Sequence, residues 1–277
     1  MAAPVLVAPA PFRSAGLRAT QVAAALGRGL EAGGWEVDLC PLADGGAGTL
    51  EVLLPALAGE TAAVEVGGRR VGIGLIEDGG TAIVELGSVL PGDGEGGSSA
   101  PAGELLLAAA QSGAEVLLVG AGDVRCDDGG EGMIEAIASG GGIAPRLVVL
   151  CDVRTPARGI GWGAAGDGIA AALAEACDAK LESGASFVLD VLDGDARMRA
   201  AHAVIVGEGL LDLRTLAGKA PGELATRARQ SGVPCFAVVG GRTLDPFGGR
   251  ILDLQAVLEA PTLAAIEAAG GELARLV

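Results

Sequence analysis

The chain has 277 residues, half of them hydrophobic, with 48 glycines, no tyrosine and a formal net charge of −16. That length allows one large domain or two modest ones with ample core. A charge this negative argues against nucleic acid and anionic membranes as partners, since both need a basic face, and no stretch approaches the ~20 apolar residues of a membrane span.

Valine-rich runs alternate with alanine-rich ones, the pattern of an α/β protein. Val5–Ala8 reads as a strand and Thr20–Ala32 as a helix, with Val22, Ala25, Leu26 and Leu30 at helical spacing. Val37–Leu42 is the next strand, and Asp44-Gly45-Gly46-Ala47-Gly48-Thr49 turns into a helix through Leu57. Three short strands follow, Ala63–Val66, Val71–Ile76 and Thr81–Leu86, separated by Gly67-Gly68 and Asp78-Gly79-Gly80, which predicts an antiparallel meander. Pro91–Ser99 is rich in glycine but has no lysine and no parallel strand before it, so it reads as a flexible linker.

A helix over Gly103–Ser112 and a strand over Val116–Val119 come next. The glycine–aspartate turn Asp123–Gly132 then opens a helix over Met133–Ala138, and Leu147–Val153 is a strand. The rest reads as a helix over Ile169–Ala179, a short helix from Phe187 to Leu192, strands at Ala203–Val206, Cys235–Val239 and Ala256–Leu258, and a closing helix. The break in pattern near residue 61 predicts an inserted domain over 61–194, with 1–60 and 195–277 together making the first.

Much chemistry is excluded. The chain has no GxxxxGK[ST], no HExxH, no GxSxG, and no strand followed by GxGxxG. His202 is the single histidine, so a His-ligated metal cluster is out of reach, and it reads as a satisfied edge residue. Five scattered cysteines without a CxxC pair, and an N-terminus without a basic, then apolar leader, predict a cytoplasmic protein with reduced, packed thiols.

Carboxylates and glycines remain. Asp44-Gly45-Gly46 and Asp127-Asp128-Gly129-Gly130 each lie at a strand-to-helix junction. In a third place the strand ending Val206-Gly207-Glu208 leads to Asp212 and to Lys219, one of two lysines in the chain. Acids at strand ends beside helix N-termini can hold Mg²⁺ and deprotonate a hydroxyl while backbone N–H groups receive phosphate. Each cluster can equally be a helix cap, because Asp and Gly are what helix starts and tight turns select.

Six segments, in order, resemble the class I glycerate 2-kinase family. Pro41–Thr49 is similar to its PMADGGEGT, and Asp127–Met133 to its NDGGAGM. Cys151-Asp152-Val153 with Pro156 is similar to CDVxNP, and Gly163–Gly166 to GAAGG. Glu182–Asp190 resembles SGxxxVLD, and Gly207–Pro221 resembles GEGxxDxQTxxGKxP. The resemblance implies two α/β domains, one Rossmann-like with a mostly parallel sheet and one inserted with a mixed sheet, with the active site in a cleft between them. It implies ATP-dependent, Mg²⁺-assisted phosphorylation of a hydroxyl of D-glycerate or a similar small hydroxy acid, by a monomer or homodimer. Carried over by motif, the catalytic residues would be Asp128 as base, Asp44 and Glu208. Glu208 and Asp212 would hold metal, while Arg13, Gly45, Gly46, Gly129, Gly130, Asp152 and Lys219 would bind substrate and nucleotide.

The chain also departs from the family pattern. Where the family opens with APDSFKGS, this chain has Ala8-Pro9-Ala10-Pro11-Phe12-Arg13-Ser14-Ala15, with arginine in place of lysine and alanine in place of the acid. It is also shorter than the family's usual length, mainly in its middle. These departures define an alternative expectation, a catalytically degenerate relative acting as a binding or partner subunit.

Overall fold

The structure is a computed structural model that describes residues 3–92, 94–156, 159 and 161–277. In chain order, its first half has β1 (Val5–Pro9), α1 (Ala19–Ala32), β2 (Val37–Leu39), α2 (Thr49–Ala56), β3 (Glu60–Val66), β4 (Arg69–Ile76), β5 (Thr81–Glu85), α3 (Ala100–Ala110), β6 (Val116–Gly120) and α4 (Glu131–Ser139). There follow β7 (Arg146–Cys151), α5 (Ile169–Cys177), β8 (Lys180–Ser183), α6 (Gly184–Val191), α7 (Gly194–Ala200) and β9 (Ala203–Glu208). The chain closes with α8 (Leu213–Leu216), α9 (Ala220–Ser231), β10 (Cys235–Val239), α10 (Pro246–Leu252), β11 (Leu254–Glu259) and α11 (Leu263–Leu273). None of these helices is long and apolar enough to cross a membrane.

The chain divides into two compact units, Met1–Ala43 with Val188–Val277, and Asp44–Phe187. In the first, five parallel strands lie in the order β11-β10-β9-β1-β2, so β1 is flanked by β2 and by the distant β9. The central strands β1, β9 and β10 read as near-continuous apolar runs because helices cover both faces of a parallel sheet. Val5, Val7, Ile205 and Val238 of the strands pack with Val22, Leu26 and Leu30 of α1 and with Ile266 and Leu273 of α11. The helical spacing predicted for α1 is therefore its core face. The edge at β2 is closed by Arg197, whose Nε and Nη2 donate to the Asp38 carboxylate at 2.9 and 2.6 Å and whose Nη2 also reaches the Leu39 carbonyl at 2.8 Å.

The second unit is a six-stranded mixed sheet in the order β3-β4-β5-β6-β7-β8. The meander β3-β4-β5 is antiparallel, and β5 to β8 run parallel. Ile73, Val84, Leu117, Val119 and Val149 form its core with Leu105, Leu106, Met133, Ile169 and Leu173.

Three sequence expectations change. The units divide at 43/44 and 187/188 rather than at 60/61 and 194/195, because α2 belongs with the second sheet. Leu50 and Leu54 of α2 lie over Gly74 of β4, and the Leu50 N–H donates to Glu85 Oε1 at the tip of β5, 2.6 Å away. The Pro91–Ser99 segment is anchored rather than a free linker. Pro91 accepts from the Arg125 N–H (2.8 Å), the Gly97 carbonyl accepts from the Asp127 N–H (2.8 Å), and the Gly97 N–H donates to Asp127 Oδ2 (2.7 Å). The strand β8 and the helices α9 and α10 were not read from the sequence at all.

The crossing of α1 and α11 depends on glycine. A Cβ on Gly29 would collide with the Glu267 carbonyl and fall 2.7 Å from the Gly271 nitrogen, whereas one on Gly249 of α10 would meet nothing within 4 Å. Alanine is the better helix former by ~1 kcal/mol, but overpacking at a backbone contact outweighs that. Gly29→Ala is expected to lower stability by about 1–2 kcal/mol and Gly249→Ala to raise it by about 0.5–1 kcal/mol. Urea unfolding midpoints check both, and an unshifted midpoint in Gly29→Ala would overturn the tight crossing.

Candidate active site

In the first unit the strand order reverses direction between β1 and β9, and the loops after these strands flank a switch point of the kind at which open α/β sheets take ligands. Glycine brings these loops together. A Cβ on Gly207 would lie 2.9 Å from Pro9 Cβ, one on Gly209 3.2 Å from Phe12 Cα, and one on Gly240 2.6 Å from the Gly209 carbonyl oxygen. Arg13 sits half-buried in a 3-10 turn just beyond β1.

Glu208 ends β9 with only 6 % of its surface exposed. Its Oε1 accepts the Thr215 hydroxyl at 2.8 Å, and Thr215 Oγ1 in turn accepts the Asp212 N–H at 3.1 Å. Asp212, expected as a metal ligand, caps α8, with its Oδ1 accepting the Arg214 N–H at 2.7 Å. An aspartate starting a helix satisfies an otherwise unpaired N–H, which is the role that side chain takes here. Lys219 directly precedes α9, and Pro221 stands in that helix's first turn. The Lys219 backbone therefore stands at the positive end of the α9 dipole, where a helix N-terminus is suited to an anion.

In the second unit the segment 44–46 crosses the C-terminal ends of β6, β7 and β8. A Cβ on Gly184 would collide with the Asp44 carbonyl, one on Gly120 would fall 2.7 Å from the Gly45 carbonyl oxygen, and one on Gly122 would fall 2.8 Å from Asp152 Cβ. The Gly122 N–H donates to the Gly45 carbonyl at 2.9 Å. Gly45 adopts a left-handed backbone (φ 90°), and a Cβ on Gly46 would run into the Asp123 carboxylate. Asp44 and Asp152 are 5 % and 1 % exposed, and both lie at this glycine-lined edge. Carboxylates so withdrawn from water are where proton transfer and cation binding concentrate.

Asp128, expected as the general base, is engaged by backbone N–H groups. Its Oδ2 accepts the Ser99 N–H at 2.8 Å and the Gly132 N–H at 3.3 Å, and its Oδ1 accepts the Gly130 N–H at 3.1 Å. The Ser99 hydroxyl oxygen accepts the Met133 N–H at 2.8 Å. Asp128 thus ties the starts of α3 and α4 together. Burial alone would push its carboxyl up, but the N–H groups of Ser99, Gly130 and Gly132 outweigh that and hold it below the ordinary carboxylate range. A carboxylate stabilised as the anion is a poor proton acceptor.

Gly129 and Gly130 serve the same junction. Both have left-handed backbones, and a Cβ on Gly130 would fall 2.8 Å from the Ala172 Cβ of α5. Cys126 is an inert thiol, pushed up to about 11 chiefly by burial.

The sequence reading passed over two acids at this edge. Asp123 follows β6 with a left-handed backbone (φ 60°), which non-glycine residues adopt at some expense in strain. Glu85 holds the start of α2; burial raises its pKa, against the lowering by the Leu50 N–H. The signal for both was their place directly after, or at the end of, an apolar strand. Among the described residues no three His, Cys, Asp or Glu side chains come together so as to hold a metal ion. Mg²⁺ held together with substrate phosphates asks for only one or two protein carboxylates, a number that Glu208, Asp44 or Asp152 could supply.

The model of the glycerate kinase family matches residues 5–140 and 146–260. The chain is 27 % identical to a glycerate kinase of Bacillus subtilis over 329 aligned positions, covering 87 % of this chain and 86 % of that protein. It is likewise 27 % identical to a glycerate 2-kinase of Escherichia coli, over 87 % of this chain and 86 % of that one. These 329 positions exceed the 277 residues of this chain, so each relative carries segments that it lacks. A solved structure assigned as glycerate kinase 2 from Salmonella typhimurium LT2 superposes with a TM-score of 0.72 at 24 % identity, covering 100 % of this chain and 98 % of that one, and so shares the fold. The chain belongs to the glycerate kinase family and is a glycerate kinase-like phosphotransferase.

Proposed function

We propose that the protein transfers the γ-phosphoryl group of ATP to a hydroxyl of D-glycerate or a close hydroxy acid. The observation that carries this reading is a pair of glycine-lined strand edges, one in each unit, each with buried carboxylate (Glu208; Asp44 and Asp152). In the first unit, Arg13 and Lys219 receive the donor's phosphates, Lys219 with the help of the α9 N-terminus. Glu208, held by the Thr215 hydroxyl, is the residue to hold Mg²⁺. The metal supplies neutralisation of the charge on the phosphates when bound.

In the second unit, Asp44 accepts the proton of the attacking hydroxyl and Asp152 orients that hydroxyl. Gly45 and Gly46 let backbone N–H groups approach without side-chain obstruction. Phosphoryl transfer asks the protein mainly for position and electrostatics, which rigid backbone contacts at strand ends provide. Asp128 fixes the α3–α4 junction and takes no part in proton transfer.

Asp44→Asn is expected to lower kcat by about 10²–10⁴-fold with a melting temperature near wild type. Asp128→Asn is expected to keep kcat within tenfold but to lose about 1–2 kcal/mol of stability, since one amide oxygen replaces an anion with three donors. Because the Asp128 pKa is depressed on folding, its contribution is present above the unfolded value of about 3.9 and drains away as pH falls through the lower native one. Asp128→Asn should therefore flatten the acid limb of the stability curve. Steady-state rates with thermal melts from pH 7 to pH 3 check this; an inactive Asp128→Asn and an active Asp44→Asn would reverse the assignment.

Mg·ATP at a hundredfold excess over Kd should stabilise the protein by about 2.7 kcal/mol, with Lys219→Ala and Glu208→Gln each losing most of the shift. A wild-type melting curve unmoved by millimolar Mg·ATP would overturn the donor assignment and favour a binding subunit.

A further inference from the structure

The first unit carries a pocket of about 420 Å³ between α10 and the start of the edge strand β11. That volume falls in the range of small-molecule and cofactor sites, about 300–1,000 Å³. Leu211, Leu244 and Val257 supply apolar lining, while Arg242, Asp245, Arg250 and Asp253, all exposed, bring charge to it. Among the described residues, neither guanidinium is engaged in an ion pair or a hydrogen bond.

Gly249 of α10 lines the same pocket. Glycine is a poor residue for a helix and needs a reason to stand in one. Its neighbour Gly248 has such a reason, since a Cβ there would fall 2.6 Å from Leu244 Cδ1. At Gly249 a Cβ would meet nothing within 4 Å, and the backbone is not left-handed. The packing of the fold would accept a side chain here, and its absence keeps room in the pocket.

The pocket adjoins the segment that carries Glu208. Leu211 stands three residues past Glu208, at most about 11 Å away along an extended backbone. Its N–H donates to the Gly241 carbonyl, and its carbonyl accepts the N–H groups of Thr243 and Leu244, each at 3.0 Å. These bonds join the loop that leaves Glu208 to the loop that carries Arg242. The charges then select the ligand. Two arginines stand with two aspartates, so the lining is balanced and offers a bare anion little net attraction. It suits a flat, neutral ring system with a sugar attached: aliphatic groups and guanidinium planes for the ring, carboxylates for the sugar hydroxyls.

We propose that this pocket takes the base and ribose of the nucleoside triphosphate donor, with the triphosphate running along the Leu211 loop toward Glu208 and Lys219. The proposal rests on the kinase reading for the donor's identity and adds where its nucleoside is held.

Calorimetry compares Mg·ATP with Mg²⁺ plus inorganic triphosphate, which has the phosphates without the nucleoside. The proteins are wild type, Gly249→Leu and the double variant Arg242→Gln with Arg250→Gln. Wild type should bind Mg·ATP at least about tenfold more tightly than the triphosphate. Each variant should lose about 10–100-fold in Mg·ATP affinity, with a matching rise in the KM for ATP. Triphosphate binding and the KM for D-glycerate should stay within about threefold. Melting temperatures separate a filled pocket from a lost fold, and the double variant changes exposed side chains alone. Mg·ATP affinity unchanged in both variants overturns the proposal and leaves the kinase reading standing. Equal wild-type affinity for Mg·ATP and triphosphate, or equal losses of the two in the variants, does the same. Variant-sensitive Mg·ATP binding without turnover of any hydroxy acid would sink the kinase reading and keep this one. A wild type that binds no Mg·ATP overturns both.

Discussion

Everything at the second unit's strand ends depends on one constraint: a segment of backbone must pass within touching distance of another backbone. Gly184 lies against the Asp44 carbonyl, Gly120 against the Gly45 carbonyl, and Gly122 against Asp152. No Cβ fits at any of these contacts. This packing fixes the backbone that carries Asp44 and Asp152, which explains why so glycine-rich a chain can still hold a site in place. The conformational freedom that glycine brings to the unfolded chain is the cost of this arrangement, and the dense aliphatic cores of both units offset it.

The first unit applies the same device with different chemistry. Gly207, Gly209 and Gly240 draw three loops together, and Glu208 is then fixed through Thr215, whose hydroxyl sits between that carboxylate and the Asp212 N–H. A single hydroxyl thus couples the strand tip to the start of α8. The arrangement makes Thr215 a positioning residue although it carries no charge, and it leaves Asp212 to hold the helix.

Much of the fold was legible because its strands are two-sided and apolar. Val5–Pro9, Ala203–Glu208 and Cys235–Val239 are buried along their whole length, and the α1 face follows helical spacing closely. What escaped had weaker signals. The edge strand β8 carries Lys180 and Glu182 and is mostly half-exposed, as edge strands often are. The helix α9 buries mainly small residues, Ala220, Ala225 and Ala228, beside charged ones, so it shows little hydrophobic pattern. The site was legible as a set of acids and glycines but not by role. A helix cap and a catalytic base draw on the same residue types, and the sequence does not show the N–H groups of Ser99, Gly130 and Gly132 that surround Asp128. The boundary near residue 60 failed because α2 follows β2 in sequence but packs on β4 and β5, a choice made by Gly74 and Glu85.

The pairing of β1 with β9 has a consequence for how the molecule is made. Val5 aligns with Ala203, while the intervening chain includes the whole of the second unit. On a ribosome adding ~5–20 residues per second, β1 emerges on the order of 10–40 s before its central partner exists. The inserted unit, whose strands β3 to β8 each pair with a sequence neighbour, has a self-sufficient set of contacts throughout that interval. The nascent protein therefore holds a folded middle and an apolar strand paired on one edge only, by β2, at the same moment. Its exposure to chaperones and to misassembly is concentrated in residues 5–9, the first strand synthesised and among the last to be enclosed.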